Sequence, residues 1–240
     1  ERIAAMPKID TTVSNLVAMI KSGELRLPEM QRRYVWRATR VRDLLDSLYR
    51  GYPTGTILVW ETDRATPTRD LAISQDRTPF AGYKVLLDGQ QRLTSLSAVL
   101  RGEPVTVRNR KKPIDILFNL DHPDGAPIEV LEVEDDAVEQ EDEADDDDND
   151  DTPNIQERLK RLTFVVASKA LMADPRWVKV SEILREDIAD VHILKRVVQS
   201  FDDPLFDKYS KRLQQVRKIR EYPYVMHVLE RSLSYSPMRK

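Results

Sequence analysis

The sequence predicts an α+β fold, a small mixed sheet flanked by helices with a mainly helical C-terminal portion. Three observations predict it. Compact apolar runs of strand length, Thr56–Trp60 and Tyr83–Leu87, sit between segments whose apolar residues recur at helical spacing. Tyr83–Leu87 runs directly through Asp88-Gly89 into a helical register at Leu93, Leu96 and Leu100. Beyond Pro153 the pattern turns mostly helical.

In chain order, Thr11 or Thr12 can cap a helix whose apolar face is Val13, Leu16, Val17 and Ile20, closed by Gly23. Leu25–Leu27 reads as a short extended piece before Pro28, and Glu29–Trp36 as an aromatic, basic loop or strand edge. Thr39 is expected to cap a second helix with Val41, Leu44, Leu45 and Leu48 on one face, stopped by Gly51 and Pro53. Residues 61–82 are polar and read as a loop, whereas Ile114–Leu120 and Ile128–Val133 read as strands. Ile155–Ala170 is a helical candidate in which Phe164-Val165-Val166 also fits a strand. Ser181 is expected to cap a run extending through Val198, Leu205–Glu221 is a basic amphipathic helix, and Tyr224–Leu229 is a final strand.

Charge divides the chain more sharply than its net value of −3 suggests. Glu132–Asp151 holds 14 acidic side chains and no basic one, which leaves 38 basic against 27 acidic side chains elsewhere. The remainder therefore has the electrostatic character of a phosphate-binding protein, or of a generic Lys/Arg surface. Carboxylates at that density repel and bury too little to order themselves, so the block reads as a flexible insertion. It lacks the glycine turn of a calcium loop; an electrostatic mimic of DNA is another reading. The expected organisation is a nucleotide-binding core over 1–131, an acidic disordered insertion over 132–153, and a mainly helical portion over 154–240.

Several function classes are excluded or disfavoured. Without cysteine there is no disulfide, thiolate metal site or thiol nucleophile. His122, His192 and His227 lie far apart in no metal-ligand spacing. No stretch approaches the roughly 18 apolar residues of a membrane span, and Glu1–Lys8 lacks the apolar segment of a signal peptide. A cytoplasmic location is expected.

The chemistry concentrates at Asp88-Gly89-Gln90-Gln91-Arg92. A strand feeding a helix N-terminus leaves backbone N–H groups without intrahelical partners, and their dipoles sum to about half a positive charge. Gly89 lets a phosphate approach the backbone, Gln90 and Gln91 add neutral donors, and Arg92 offers a fork for two phosphate oxygens. Asp88 is placed to hold Mg²⁺ or to orient a water. The same string fits a tight strand-to-helix turn in which Arg92 makes a structural salt bridge, and it is not a Walker loop. A second stretch, Leu27–Trp36, interleaves Gln31, Arg32 and Arg33 with Tyr34 and Trp36. Such a pattern can hold a phosphate and stack a base on Tyr34 or Trp36, or it can plug the core with its aromatics.

Three strings occur in one order: Leu27-Pro28 with Gln31-Arg32, Tyr34 and Trp36; Gly51-Tyr52-Pro53 with Gly55 and Ile57-Leu58-Val59-Trp60; and Leu87 through Leu96. Together they resemble the N-terminal domain of GmrSD-type modification-dependent restriction proteins, a branch of the ParB/sulfiredoxin-like fold. The resemblance is tight over 9–102 and weaker over 103–229. It implies that Asp88–Arg92 serves nucleoside triphosphate binding and hydrolysis with Mg²⁺, with Asp88 and Arg92 as catalytic residues and Asp88 as the metal ligand. It also implies that Gln31 and Arg32 form a second wall of the pocket. It implies a role in sensing modified or foreign DNA, and a His-Asn-His nuclease domain or subunit as partner. Two departures stand out. The family's Phe-x-Arg-x-Asn string is absent after Tyr224–Leu229, which bears on complete hydrolysis, and no nuclease motif is present.

Three functions follow as expectations: an NTP-binding and hydrolysing regulatory domain; a DNA-binding sensor without turnover, its groove formed by helix 205–221 and the Arg-rich stretch 26–42; and a scaffold that only contacts a nuclease chain.

Overall fold

Thr12 ends one element and begins the next. It is the last residue of β1 (Lys8–Thr12), its backbone is extended, and its side chain accepts a hydrogen bond from the Asn15 N–H, capping α1 (Val13–Lys21). Val13, Leu16 and Ile20 are fully buried, one face at the spacing expected from the sequence. The computed structural model describes residues 7–28, 36–62, 68–69, 82–108, 110–125 and 159–230. The strand expected at Ile128–Val133 and the acidic block lie outside the described residues.

The chain divides into two compact units, and neither is continuous in sequence. One comprises residues 1–33, 53–97 and 220–240, the other residues 34–52 and 98–219.

The first unit is built on a mixed sheet. Its strands are β1, β2 (Leu25–Pro28), β3 (Ile57–Thr62), the two-residue β4 (Thr68–Arg69), β5 (Tyr83–Asp88) and β9 (Pro223–Leu229), in the order β1-β9-β3-β5-β2-β4. β3 runs antiparallel to β5 and parallel to β9, while β2 runs parallel to β5. The pleat sends alternate residues to opposite faces. Val59, Leu86 and Met226 are buried, and so are Trp60, Tyr83 and Val85, which cluster with Leu87 and Leu229. Burial on both faces explains why β3 and β5 read as near-continuous apolar runs. At the edge of that second cluster the Arg26 guanidinium lies 4.4 Å from the centre of the Tyr83 ring.

The second unit carries an antiparallel three-stranded sheet with β6 (Ile116–Asn119) between β7 (Phe164–Val166) and β8 (Trp177–Lys179). Helix α2 (Ala38–Arg50) packs against β7. Arg37, not Thr39, is the N-cap of α2, with no side-chain hydrogen bond; Thr39 lies inside the helix and is buried. Phe164-Val165-Val166 takes the strand alternative because β6 supplies its partner. Helices α4 (Lys169–Met172), α5 (Val180–Ile183) and α6 (Asp190–Leu194) are short, and α7 (Pro204–Arg217) is long. The single run expected from Ser181 to Val198 is thus two helices. Between them Arg185 pairs with Asp187, and Arg217 of α7 reaches the Arg185 and Ile188 carbonyls.

Tyr49, Phe118, His122 and Phe164 form an aromatic centre in this unit, with ring centroids 5.3–5.6 Å apart. His122 Nδ1 lies 2.8 Å from the Pro123 carbonyl, which can only accept, so Nδ1 carries the proton. Nε2 therefore accepts from the Tyr49 hydroxyl at 3.0 Å. Burial pushes the Tyr49 hydroxyl up to about 12 and pulls His122 below its ordinary value, with Arg212 and Arg50 adding to the latter shift. A histidine with a depressed folded-state value binds its proton first in the unfolded chain, so folding stability falls as pH drops below about 6.5. We expect the melting temperature to drop between about pH 7.5 and about pH 5.5, and to drop less in His122→Gln. Equal pH dependence in the two proteins would show that His122 does not contribute.

Candidate functional site

Asp88 ends β5, and α3 (Gln90–Leu100) starts two residues later. Gly89 makes the turn at φ +98°, a conformation that L side chains rarely adopt. A Cβ there would meet Ile57 Cδ1 at 2.5 Å. The Leu93 N–H donates to the Gly89 carbonyl at 3.0 Å, the first rung of the helical ladder, so the amides of the preceding turn lie at the positive end of α3.

Arg92 organises the surroundings of that turn. Its Nη1 donates to the Thr54 carbonyl, and its Nη2 donates to the Thr56 carbonyl at 2.8 Å and to Asp88 Oδ2 at 3.2 Å. The guanidinium is only 14% exposed, whereas the Asp88 side chain is 72% exposed. The ion pair is therefore solvated on the acid side and worth little by itself; the two carbonyl contacts hold the arginine. Gly55, at φ +88°, makes room for it, since a Cβ there would lie 2.6 Å from Nη1. The Thr54 hydroxyl donates to Tyr224 Oη at 2.7 Å, and burial raises the Tyr224 hydroxyl while Thr54 and Arg92 oppose that shift.

The arrangement is a strand–turn–helix whose flanking segment 54–56 is drawn against it by one arginine. The contacts Arg92 makes are with the Thr54 and Thr56 carbonyls and with Asp88, the last being the salt bridge of the sequence reading. The structure brings Asp88, Gly89, Gln90, Gln91 and Arg92 together at one turn. Gln31, Arg32 and Tyr34 lie outside the described residues. Trp36 is half-buried in the other compact unit, just before α2. Sequence reasoning did not assign roles to Thr54, Gly55, Thr56 or Tyr224. The signal was the string Gly51-Tyr52-Pro53 with Gly55 upstream of the Asp-Gly string, whose physical meaning is the space Gly55 leaves for Arg92.

Among the described residues no three His, Asp or Glu side chains converge to hold a metal. Asp88 is a single exposed carboxylate, which suits Mg²⁺ arriving on a nucleotide and ligated mostly by phosphate and water oxygens.

The family model of the GmrSD restriction endonuclease N-terminal domain matches residues 13–230. The chain belongs to this family. The match takes in both compact units of this GmrSD N-terminal domain and runs past β9, so the weaker stretch 103–229 of the sequence resemblance is part of it. Among curated proteins the domain is similar to an uncharacterized protein of Methanocaldococcus jannaschii, at 30% identity over 116 residues. That alignment covers 44% of this chain and 20% of the relative, so the chain corresponds to a small part of the relative's length. Among the described residues no helix is long and apolar enough to cross a membrane.

Proposed function

We propose that this GmrSD N-terminal domain binds a nucleoside triphosphate with its Mg²⁺ at the Asp88–Arg92 turn and hydrolyses it, as the regulatory part of a prokaryotic modification-dependent restriction system. The observation that carries the reading is the glycine turn between β5 and α3. Gly89, itself buried, makes that turn at φ +98° where a Cβ would strike Ile57, and so brings the start of an 11-residue helix, its positive end, beside a carboxylate that faces solvent.

Phosphates would lie on the amides of the first turn of α3, with Gln90 and Gln91 as neutral donors. Asp88 would ligate the nucleotide's Mg²⁺ or accept the proton of the attacking water as its oxygen bonds to the γ-phosphorus and the bond to the β–γ bridging oxygen breaks. Such chemistry depends on positioning and charge stabilisation, not on a covalent nucleophile. Arg92 is a positioning residue in this account: it holds Thr54–Thr56 and Asp88 in place, which fixes where the phosphate seat ends. Gln31 and Arg32 would close the seat from the segment preceding α2.

A panel of nucleotides with Mg²⁺, assayed on wild type and Asp88→Ala, tests the reading. We expect turnover in the wild type and a loss of about 100-fold or more in the variant, the usual scale for a group handling the transferred proton. Equal turnover in both proteins would assign the activity to a contaminant.

A further inference from the structure

β1 is the outermost strand of the first unit's sheet, and among the described residues its strand partner is β9 alone. The ladder between them fixes which way each backbone group points. The Val228 N–H donates to the Pro7 carbonyl at 3.0 Å, and the Val13 N–H donates to the Tyr222 carbonyl at 3.1 Å. In an antiparallel pair, residues that exchange hydrogen bonds alternate with residues that do not. Ile9 lies opposite Met226 and Thr11 opposite Tyr224 in the same register, so Pro7, Ile9, Thr11 and Val13 turn their backbone groups toward β9. Lys8 and Asp10 therefore turn their N–H and C=O groups outward. Among the described residues nothing is hydrogen-bonded to that outward row.

This edge has few of the guards that keep strands from pairing with strangers, which are shortness, proline, bulges and charges of one sign. β4, at the opposite end of the sheet, is two residues long, and β7 and β8 are three each. β1 has five residues, contains no proline and pairs with β9 without a register shift. Lys8, Ile9 and Asp10 are exposed, Ile9 to 43%. The two charges have opposite sign and lie on the same side of the pleat.

We infer that β1 is a self-pairing edge, through which two copies of this chain associate antiparallel about a twofold axis at Ile9. The charges select that register. Because the outward groups belong to Lys8 and Asp10, a hydrogen-bonded pairing must set these residues against one another. A register centred on Lys8 opposes two lysines, and one centred on Asp10 opposes two aspartates. Centred on Ile9, the pairing sets Lys8 of each copy against Asp10 of the other. Like charges directly opposite destabilise a strand pair, and opposite charges stabilise it. Both Lys8–Asp10 pairs then exchange N–H···O=C bonds in each direction. The two Ile9 side chains meet between them at the non-hydrogen-bonded position, where side chains come closest. An unrelated strand could use the same backbone row, but a copy of β1 supplies the matching charge at both positions. Such an interface is isologous, so association closes at two copies. One strand pair buries less than a standard interface, so the dimer is weak. The inference does not rest on the nucleotide reading, because none of these residues belongs to the Asp88–Arg92 turn.

Sedimentation velocity of the full chain over a concentration series tests it. The wild type should shift reversibly from monomer to dimer below about 1 mM. Lys8→Asp sets acid against acid at both pairs, and Asp10→Lys sets base against base. Each variant alone should therefore dimerise at least about tenfold more weakly. Mixed in equal amounts, the two variants should form a heterodimer at about the wild-type affinity, because every pair again joins opposite charges. Melting temperatures of the variants check that each is folded. Asp202→Lys makes the same change of charge at an exposed position in the other compact unit and should leave the dimer as it is. A wild type that stays monomeric at about 1 mM, equal dimerisation in the wild type and both single variants, or a mixture no more associated than its components would each overturn the assignment.

Discussion

Arg92→Ala is expected to weaken nucleotide binding by at least about tenfold, equivalent to about 1.4 kcal/mol, and to lower folding stability by about 2–3 kcal/mol. Two carbonyls, those of Thr54 and Thr56, would lose charged donors, and a hydrogen bond to a charged group contributes about 1.5–3 kcal/mol before discounting for solvent. The contact with Asp88 adds little because that side chain is largely solvated. Without the guanidinium nothing draws 54–56 against the turn at Gly89, so the lost affinity follows from a displaced wall. Arg92→Lys separates this role from direct phosphate binding. A lysine keeps the charge, but its ammonium lacks the planar fork that satisfies both carbonyls at once. A positioning role therefore predicts that Arg92→Lys loses stability and affinity together, whereas a direct grip predicts retained stability. Calorimetric titration with nucleotide and thermal melting on the same preparations check both. Unchanged affinity and unchanged melting in Arg92→Ala would remove Arg92 from the site.

Phe118→Ala should destabilise the second unit by about 3–5 kcal/mol, the range for deleting a fully buried phenyl ring. Phe118 is 0% exposed, and its ring meets Tyr49 at 5.4 Å, Phe164 at 5.3 Å and His122 at 5.6 Å. The void would lie among rings held in place by their own contacts. Tyr49 is fixed through its hydroxyl on His122, and Gln215 donates to the Tyr49 carbonyl at 3.1 Å, so collapse into the cavity is restricted. The melting temperature should fall by about 10 °C. Phe118→Leu keeps most of the volume and should cost less than about 1.5 kcal/mol. A loss below about 1 kcal/mol in Phe118→Ala would show that the cluster repacks freely.

Much of the candidate site was legible because it is local. Tyr83–Leu87 has strand composition, Gly89 follows Asp88, and Leu93, Leu96 and Leu100 keep helical register, so the strand–turn–helix needs no distant partner to be read. The capping of α1 by Thr12 was legible for the same reason. The behaviour of Arg92 was not. Its acceptors lie 36 and 38 residues upstream, on a segment whose only mark in the sequence is Gly55. Likewise α7 reads as a basic helix, but its Arg212 and Arg217 find acceptors 92 and 27 residues away. Composition reports that a charge exists and is silent on whether it is already neutralised.

Thr39 and the run after Ser181 show a second limit. Thr39 has the right chemistry for a cap, yet the helix starts two residues earlier than that cap implies, at Ala38, where burial of Ala38 and Thr39 takes precedence over a side-chain cap. After Ser181 the apolar spacing continues, but the Arg185–Asp187 pair and the carbonyls claimed by Arg217 break it into two short helices.

By itself the sequence determined the α+β class, the glycine turn at Asp88–Arg92 and the three ordered strings that mark the family, because backbone sterics, pleat and helical period act over a few neighbouring residues. Only the tertiary structure decided that the two units interleave along the chain, that Arg92 faces protein carbonyls, and that Arg212 and Arg217 of α7 find acceptors within their own unit. Those outcomes depend on which distant acceptor reaches each guanidinium first, and that is a property of packing.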